Sequence, residues 1–531
     1  MEEGSELQER RQSNKATEPR VELQVDSSGP GSLPLTNLNV PSMDDFVVRK
    51  LKQRHIAGTF GTGLFLGTGG AIRTAGPLGA LIAFALVGSV AYSSLCSLGE
   101  MTSLAPISGS FPHFASRWVD PALGFAVSDL LKLTVPVEIS GAQILISMWD
   151  SNHVAVYTVV ICISICATNI FGVIVMVLIT GLIIVGLVID LGGAPNHQRL
   201  GFQYWKNPGV FAGPGLEPRY PALDKFLGIL SVITQAAFAY QGMELVAIAA
   251  SETENPRRNI ARAIRRVFYR IPIFYILGVF IAGLIVPSNN KDLLTGFGFS
   301  AQSPFVIAMQ ISGIRVLPSV VNAGLIASAF SAGNSFLFCS SRTLYGLALR
   351  GQAPRFLTRC TRKGVPIVAV LCSSAFAFLS LMNISSGAET VFNWLQHLSV
   401  MGGFLGWLSI NITYIFFYRG LQYQGIDRRK LFYWNPLQPW LSVWGLIWCV
   451  LFILINGYNV FWDFSASGFL TSYLTIPLFI GLFLFWKITR STAIWNPGEM
   501  DFTTCIPSIE ETEGPQYPPN GFWQHVAAVL F

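Results

Sequence analysis

The stretch GTFGTGLFLGTGG, residues 58–70, sets six glycines among apolar and hydroxylated residues, just after the basic run RKLKQRH (49–55). Glycine costs a helix about 1 kcal/mol relative to alanine. Yet the surrounding chain has the composition of membrane helices. Of 531 residues, 51% are hydrophobic and only 12% charged, against about 25% charged in a soluble domain. The apolar residues fall in blocks of roughly 18–25, the length that crosses about 30 Å of hydrocarbon as helix. A soluble globular fold is excluded, and the glycines mark a helix that is meant to be interrupted.

Twelve candidate spans follow, at about 56–75, 78–98, 128–149, 154–170, 173–190, 226–250, 268–287, 316–341, 365–383, 394–418, 441–462 and 469–487. The expected class is an all-α polytopic membrane protein. Residues 1–47, polar and mixed in charge, read as a disordered tail with no cleavable signal peptide. Residues 488–531 read as a second tail. Arg and Lys concentrate in the flank 49–54 and in the loops 257–270, 342–363 and 419–430, all on one side, whereas 384–392 and 463–468 carry none. The positive-inside rule then places both termini in the cytoplasm. Residues 191–225 form a long outer loop, expected to be a small lid. The eight cysteines show no metal-ligand spacing, and neither a metal nor any other cofactor is called for. The net charge of +6 resides in these loops and calls for no nucleic-acid partner. The sequon at Asn383 falls in an outer loop, open to glycosylation. A second at Asn411 falls inside a span, where it is read as interhelical hydrogen bonding.

Backbone inside a bilayer must satisfy its own hydrogen bonds, so a break is tolerated only where it lines protein or a wet cavity. The opening stretch is one such break. The other is FAYQGMELV (238–246), which puts Gly242 and Glu244 at membrane depth in span six. Spans one and six correspond if 56–190 and 226–418 are two five-helix repeats, followed by two extra helices within 441–487. Paired breaks in corresponding spans point to the binding site of a secondary transporter. Freed N–H groups suit a carboxylate and freed carbonyls an ammonium, which together describe an amino acid. The competing reading of Gly63 and Gly67 is a G-x-x-x-G packing motif. Glu138 and Glu244 are the outstanding ionisable groups within spans, each a structural partner or a proton carrier. Ser331, Asn334 and Ser335 form a polar stripe on span eight, as readily helix–helix contact as site. Phe238 and Tyr240 are placed to close over a substrate or to pack as core. His153 and His397 lie at span boundaries and are assigned nothing. No Ser/His/Asp or metal constellation supports an enzyme.

Five phrases carry a resemblance: GTGLFLGTGGAIRTAGPLGALIAFALVG (61–88), GEM…PISGSF…VDPALGF (99–125), ASETENPRRNIARAI (250–264), SSRTLYGLALRGQAPRF (340–356) and YRGLQYQGIDRRKL (418–431). Occurring in this order from about Arg54 to Asp501, they resemble the fungal amino-acid permeases, the yeast amino acid transporter family of the amino acid–polyamine–organocation superfamily. The resemblance implies twelve helices, a five-plus-five inverted repeat with discontinuous helices one and six, and proton-coupled amino-acid uptake at the plasma membrane. It implies a permease domain over 48–487, with cytoplasmic tails open to trafficking factors. By motif position, substrate would meet Thr59, Gly61, Thr62 and Gly63, faced by Gly242, Met243 and Glu244. Met243 stands where relatives often carry a small or hydroxylated residue.

Three departures fall in the first repeat. His55 precedes Gly61 by six positions, about 9 Å of helix, which leaves the first half-helix some four residues short. The segment between Phe125 and Glu138 is shorter than in the family, and Asp129 and Lys132 are spaced to pair. Spans four and five run together across NIFG (169–172), without the family's basic linker or its lysine near Val173. These departures point to short in-frame losses in the coding sequence. A non-transporting amino-acid sensor, or an inactive product of an incomplete gene model, stands as the alternative to a working carrier.

Overall fold

The structure, a computed structural model, describes residues 63–514 apart from 129, 148, 151–152, 168–171, 251, 254, 291–292, 294–302, 362–363, 387, 463 and 505. Within these residues the chain is helical and contains no strand. The expected all-α membrane class therefore holds.

Helix α1, Gly63–Leu104, holds spans one and two. They fold against each other at Gly76, whose φ of 75° and following Pro77 break the helix. A β-carbon at Gly76 would lie 2.7 Å from Ala212 N and Val210 O. The expected lid enters this corner, where Ala212 N donates to Ala75 O (3.0 Å) and Leu78 N to Val210 O (3.1 Å). The short helices α2 (Ser110–Trp118) and α3 (Pro121–Val127) follow, the latter capped by the Asp120 carboxylate on Ala122 N. Spans three, four and five are α4 (Thr134–Ile146), α5 (Val154–Ala167) and α6 (Gly172–Asp190). Span six is α7 (Pro221–Tyr240) and α8 (Leu245–Ala250). Span seven runs from α9 (Pro256–Arg270) through a π-helical stretch, Ile271–Ile276, into α10 (Leu277–Ile285).

Span eight is α11 (Leu317–Leu349), and span nine is α12 (Ile367–Ser374) continued by a 3₁₀ stretch to Met382. Spans ten and eleven are α13 (Ala388–Tyr423) and α14 (Trp440–Ile455). Span twelve is the pair α15 (Ala466–Tyr473) and α16 (Thr475–Arg490), bent by 44°. Helix α13 carries His397 several residues inside its start.

Among the described residues, seven helices are long and apolar enough to cross a bilayer, eight with the bent pair counted. The first-repeat helix α4 has 13 residues, about 20 Å at 1.5 Å per residue. It falls short of the roughly 30 Å of a hydrocarbon core.

Helices α7, α9 and α10 pack against α1, and α4, α5 and α12 against α11; α13 touches both groups. Asn411 on α13 donates to Ser94 Oγ at 2.8 Å and accepts from Ser97 Oγ at 3.3 Å, the interhelical bonding expected of it. The glycosylation expectation at Asn383 is corrected. That side chain is 2% exposed and accepts from Ser140 Oγ at 3.0 Å, so its amide is not presented for modification.

Part of the expected C-terminal tail is packed. Met500 and Phe502 are buried against Gly420 and the rings of Trp118 and Phe417.

Candidate functional site

Helix α7 ends at Tyr240 because Gln241 leaves helical geometry (φ −59°, ψ 139°) and Gly242 turns left-handed at φ 99°. A side chain at Gly242 would be strained by that φ, and its β-carbon would sit 3.1 Å from the Phe336 ring. Two side chains anchor the chain at this break. The Glu244 carboxylate, 4% exposed, accepts from Gly242 N (3.3 Å to each oxygen) and from Trp407 Nε1 (3.2 Å). Gln241 reaches the other way. Its Nε2 donates to Ser399 O (3.0 Å) and Thr134 Oγ1 (3.3 Å), and its Oε1 accepts from Ser399 Oγ (3.2 Å). The Thr134 and Ser399 hydroxyls are themselves 2.6 Å apart. The break is thereby bonded to α4 and α13 at once. Thr134, Ser399 and Trp407 were invisible as site residues in the sequence, since their pairing spans more than a hundred positions. Gln241 stood inside the quoted motif.

Span one meets this break. A β-carbon on Gly63 would lie 2.7 Å from Ala239 Cα, 2.8 Å from Ala239 N and 2.9 Å from Phe238 C. Only glycine permits that backbone-to-backbone approach. Thr68 Oγ1 donates back to Leu64 O one turn later. Thr59, Gly61 and Thr62 lie outside the described residues.

The two aromatics expected to act together point apart. Phe238 meets Phe392 of α13 edge-on at 5.8 Å. Tyr240, fully buried, stacks on Tyr275 at 4.4 Å and lies over Gly88 on α1. Met243 and Gly242 line a crevice with Val246, Val267, Arg270 and Tyr275 that has room for about one water.

Glu138 on α4 is 1% exposed and packs beside Gly333 on α11, whose β-carbon position lies 3.5 Å from Glu138 Cβ. It therefore neighbours the polar stripe. Ser335 Oγ in that stripe donates to Ser331 O at 2.9 Å, and Asn334 Nδ2 is buried without a hydrogen bond. Among the described residues, no three His, Cys, Asp or Glu side chains gather as metal ligands.

The arginine-rich end of the bundle is held by buried pairs. Arg342 Nε on α11 lies 3.1 Å from Glu252 Oε1, just past α8. Arg428 Nη1 lies 3.1 Å from Glu100 Oε1 on α1, and Tyr414 Oη donates to the other oxygen at 2.6 Å. The C-terminal segment crosses this end. Arg117 pairs with Asp501 at 2.9 Å, and Arg257 donates to the carbonyls of Pro507 and Ser508. Burial alone would raise the Asp501 carboxyl. The backbone N–H groups of Thr504 and Thr503, with the Arg117 guanidinium, outweigh it and hold the group below the usual carboxylate range.

The family model described as "Amino acid permease" matches residues 53–495. A dicarboxylic amino acid permease of Saccharomyces cerevisiae is 38% identical over 506 residues, covering 88% of this chain and 81% of its own. A proline-specific permease of Emericella nidulans is 37% identical over 488 residues, covering 87% and 88%. A lysine/arginine permease of Candida albicans is 34% identical over 557 residues, covering 97% and 95%.

Proposed function

The chain belongs to the amino acid permease family, and on that premise we propose that it carries amino acids through a membrane by alternating access, coupled to proton entry. The observation that carries the reading is the contact of Gly63 with the Phe238–Ala239 backbone, one turn from the break at Gln241–Glu244. In this reading the interruption expected in span one adjoins the break in span six, and backbone dipoles at such paired breaks would meet an amino acid's charged ends. In this reading the carboxylate is held by Thr59, Gly61, Thr62 and Gly63, and the opposite face is Gly242, Met243 and Glu244. The spans 56–190 and 226–418 act as inverted repeats.

Glu138 and Glu244 are the candidates for the transferred proton. Both are buried carboxyls at contacts between helices, Glu138 beside α11 and Glu244 bonded to Trp407 of α13, so relative motion of those helices changes their surroundings. The arginines of 257–270, 342–363 and 419–430 support cytoplasmic termini, and the fungal relatives support the plasma membrane. The tails would then meet trafficking factors. Because relatives are named for dicarboxylic, basic and proline substrates, the side chain is chosen by a competition panel of the common amino acids. Uptake of radiolabelled amino acids in permease-deficient cells tests the whole reading. No uptake at any pH, from protein shown to be at the surface, refutes it.

A second reading rests on the length of α4. One alignment to a relative runs over 557 positions, more than the 531 residues present, so the relative carries internal residues that this chain lacks. An inactive product of an incomplete gene model fits that shortfall. A transcript identical to this sequence would remove it.

A further inference from the structure

Two positive features face each other where α2 begins. The first is the N-terminus of α2 itself, a nine-residue helix whose N-cap is Gly109 and whose first turn receives no side-chain cap. A helix N-terminus carries roughly half a positive charge. The second is Arg350, the residue that ends α11. Its Nη1 lies 4.0 Å from the point where a β-carbon on Gly109 would sit. The two helices come this close because both contacts are glycine: a β-carbon on Gly346 would be 2.9 Å from Gly109 Cα.

Neither feature is neutralised by the side chains around it. Nε, Nη1 and Nη2 of Arg350 are all buried and, among the described residues, none makes a hydrogen bond. Burial without a counter-charge pushes its guanidinium down to about 9. Ser110, the first residue of α2, is 1% exposed, and its hydroxyl also has no partner. His113, one turn on, is spoken for by Ser108 O at 3.0 Å. Desolvation, with the adjacent Arg350 charge, pushes it down to about 3, so it stays neutral. Asp501, the carboxylate that His113 senses, is already paired with Arg117. An unpaired buried guanidinium is unfavourable, and here the helix end adds to that cost rather than relieving it.

We propose that this junction is a binding site for a phosphate-type oxyanion, held by the Arg350 guanidinium, the Ser110 hydroxyl and the N-terminus of α2. Two positive centres and a separate hydroxyl call for more acceptor oxygens than a carboxylate offers, and a phosphate supplies them. The ligand is either free phosphate or the phosphate of an acidic lipid headgroup.

Thermal unfolding of the full chain, with inorganic phosphate compared against chloride at matched ionic strength, tests the site. In detergent, phosphate should raise the melting temperature of the wild type and leave Arg350→Gln unmoved, while Ser110→Ala responds more weakly. Nanodiscs separate the sources. A shift when phosphate is added to phosphatidylcholine discs identifies free phosphate. A shift only when phosphatidic acid replaces part of that lipid identifies a headgroup. No shift in any setting overturns the site, as does an equal shift in Arg350→Gln. Should Arg350→Gln fail to fold, Arg350→Lys keeps the charge but loses the fork, and an undiminished response there overturns it as well.

Discussion

Arg342 Nε stands 3.1 Å from Glu252 Oε1, and this pair joins two sequence motifs ninety positions apart, ASETENPRR and SSRTLYG. It links the residues just past α8, the second half of the broken span, to α11, on which α8 itself packs. Breaking a buried pair by removing one partner costs on the order of 3–5 kcal/mol, because the other charge is stranded. Arg342→Ala should lower the melting temperature of the purified protein clearly more than the double change Arg342→Met with Glu252→Leu. Equal losses would mean that the charges contribute no more than their packing.

Gly63→Val should abolish uptake while leaving protein in the membrane. Its β-carbon would meet the Ala239 backbone at under 3 Å, and backbone cannot swing aside as a side chain does. Gly70, with nothing within 4 Å of its β-carbon position, is the control, and Gly70→Ala should transport normally. Radiolabelled uptake with surface biotinylation reads both.

Glu244→Gln replaces one acceptor oxygen by an amide N–H facing the Gly242 and Trp407 donors. An unsatisfied buried donor costs about 1–3 kcal/mol, so initial uptake should fall roughly tenfold or more. Trp407→Phe, which removes one donor but keeps the carboxylate, should fall less. Normal kinetics in Glu244→Gln would rule out a required charge at that position.

The Asp501–Arg117 bridge carries a pH signature. The folded carboxyl lies below its unfolded value of about 3.9. Its contribution is therefore present above that value and lost as pH falls through the folded one. Asp501→Asn should melt below the wild type at neutral pH, with the difference closing as pH drops under about 4. The carboxylate is 40% exposed, so the difference should be small and shrink in high salt. A gap that persists unchanged at acid pH would assign it to packing instead of charge.

What the sequence made legible was local in origin. Gly76-Pro77 and Gly242 announce their breaks because glycine and proline act on their own dihedrals. Asn411 was readable because an amide inside an apolar run has few options but another helix. The clamp of Gln241 to Thr134 and Ser399 was not readable, because common hydroxyl residues give no sign of which distant helix they face. Asn383 misled for a related reason: the span-end pattern was right, but α4 lies alongside and supplies Ser140. The shortness of α4 could be counted in advance from the residues between Phe125 and Glu138. Only the three-dimensional arrangement places Arg350 against the start of α2.

The C-terminal segment is stitched at Arg117, at Gln424 near the end of α13 and at Arg257 on α9. Any parting of those helices wider than a hydrogen bond must tear one stitch loose. This stretch of the chain is thus a mechanical gauge of what the helices are doing. A protease or a modifying enzyme working on residues 491–514 would sample the conformational state of the whole bundle.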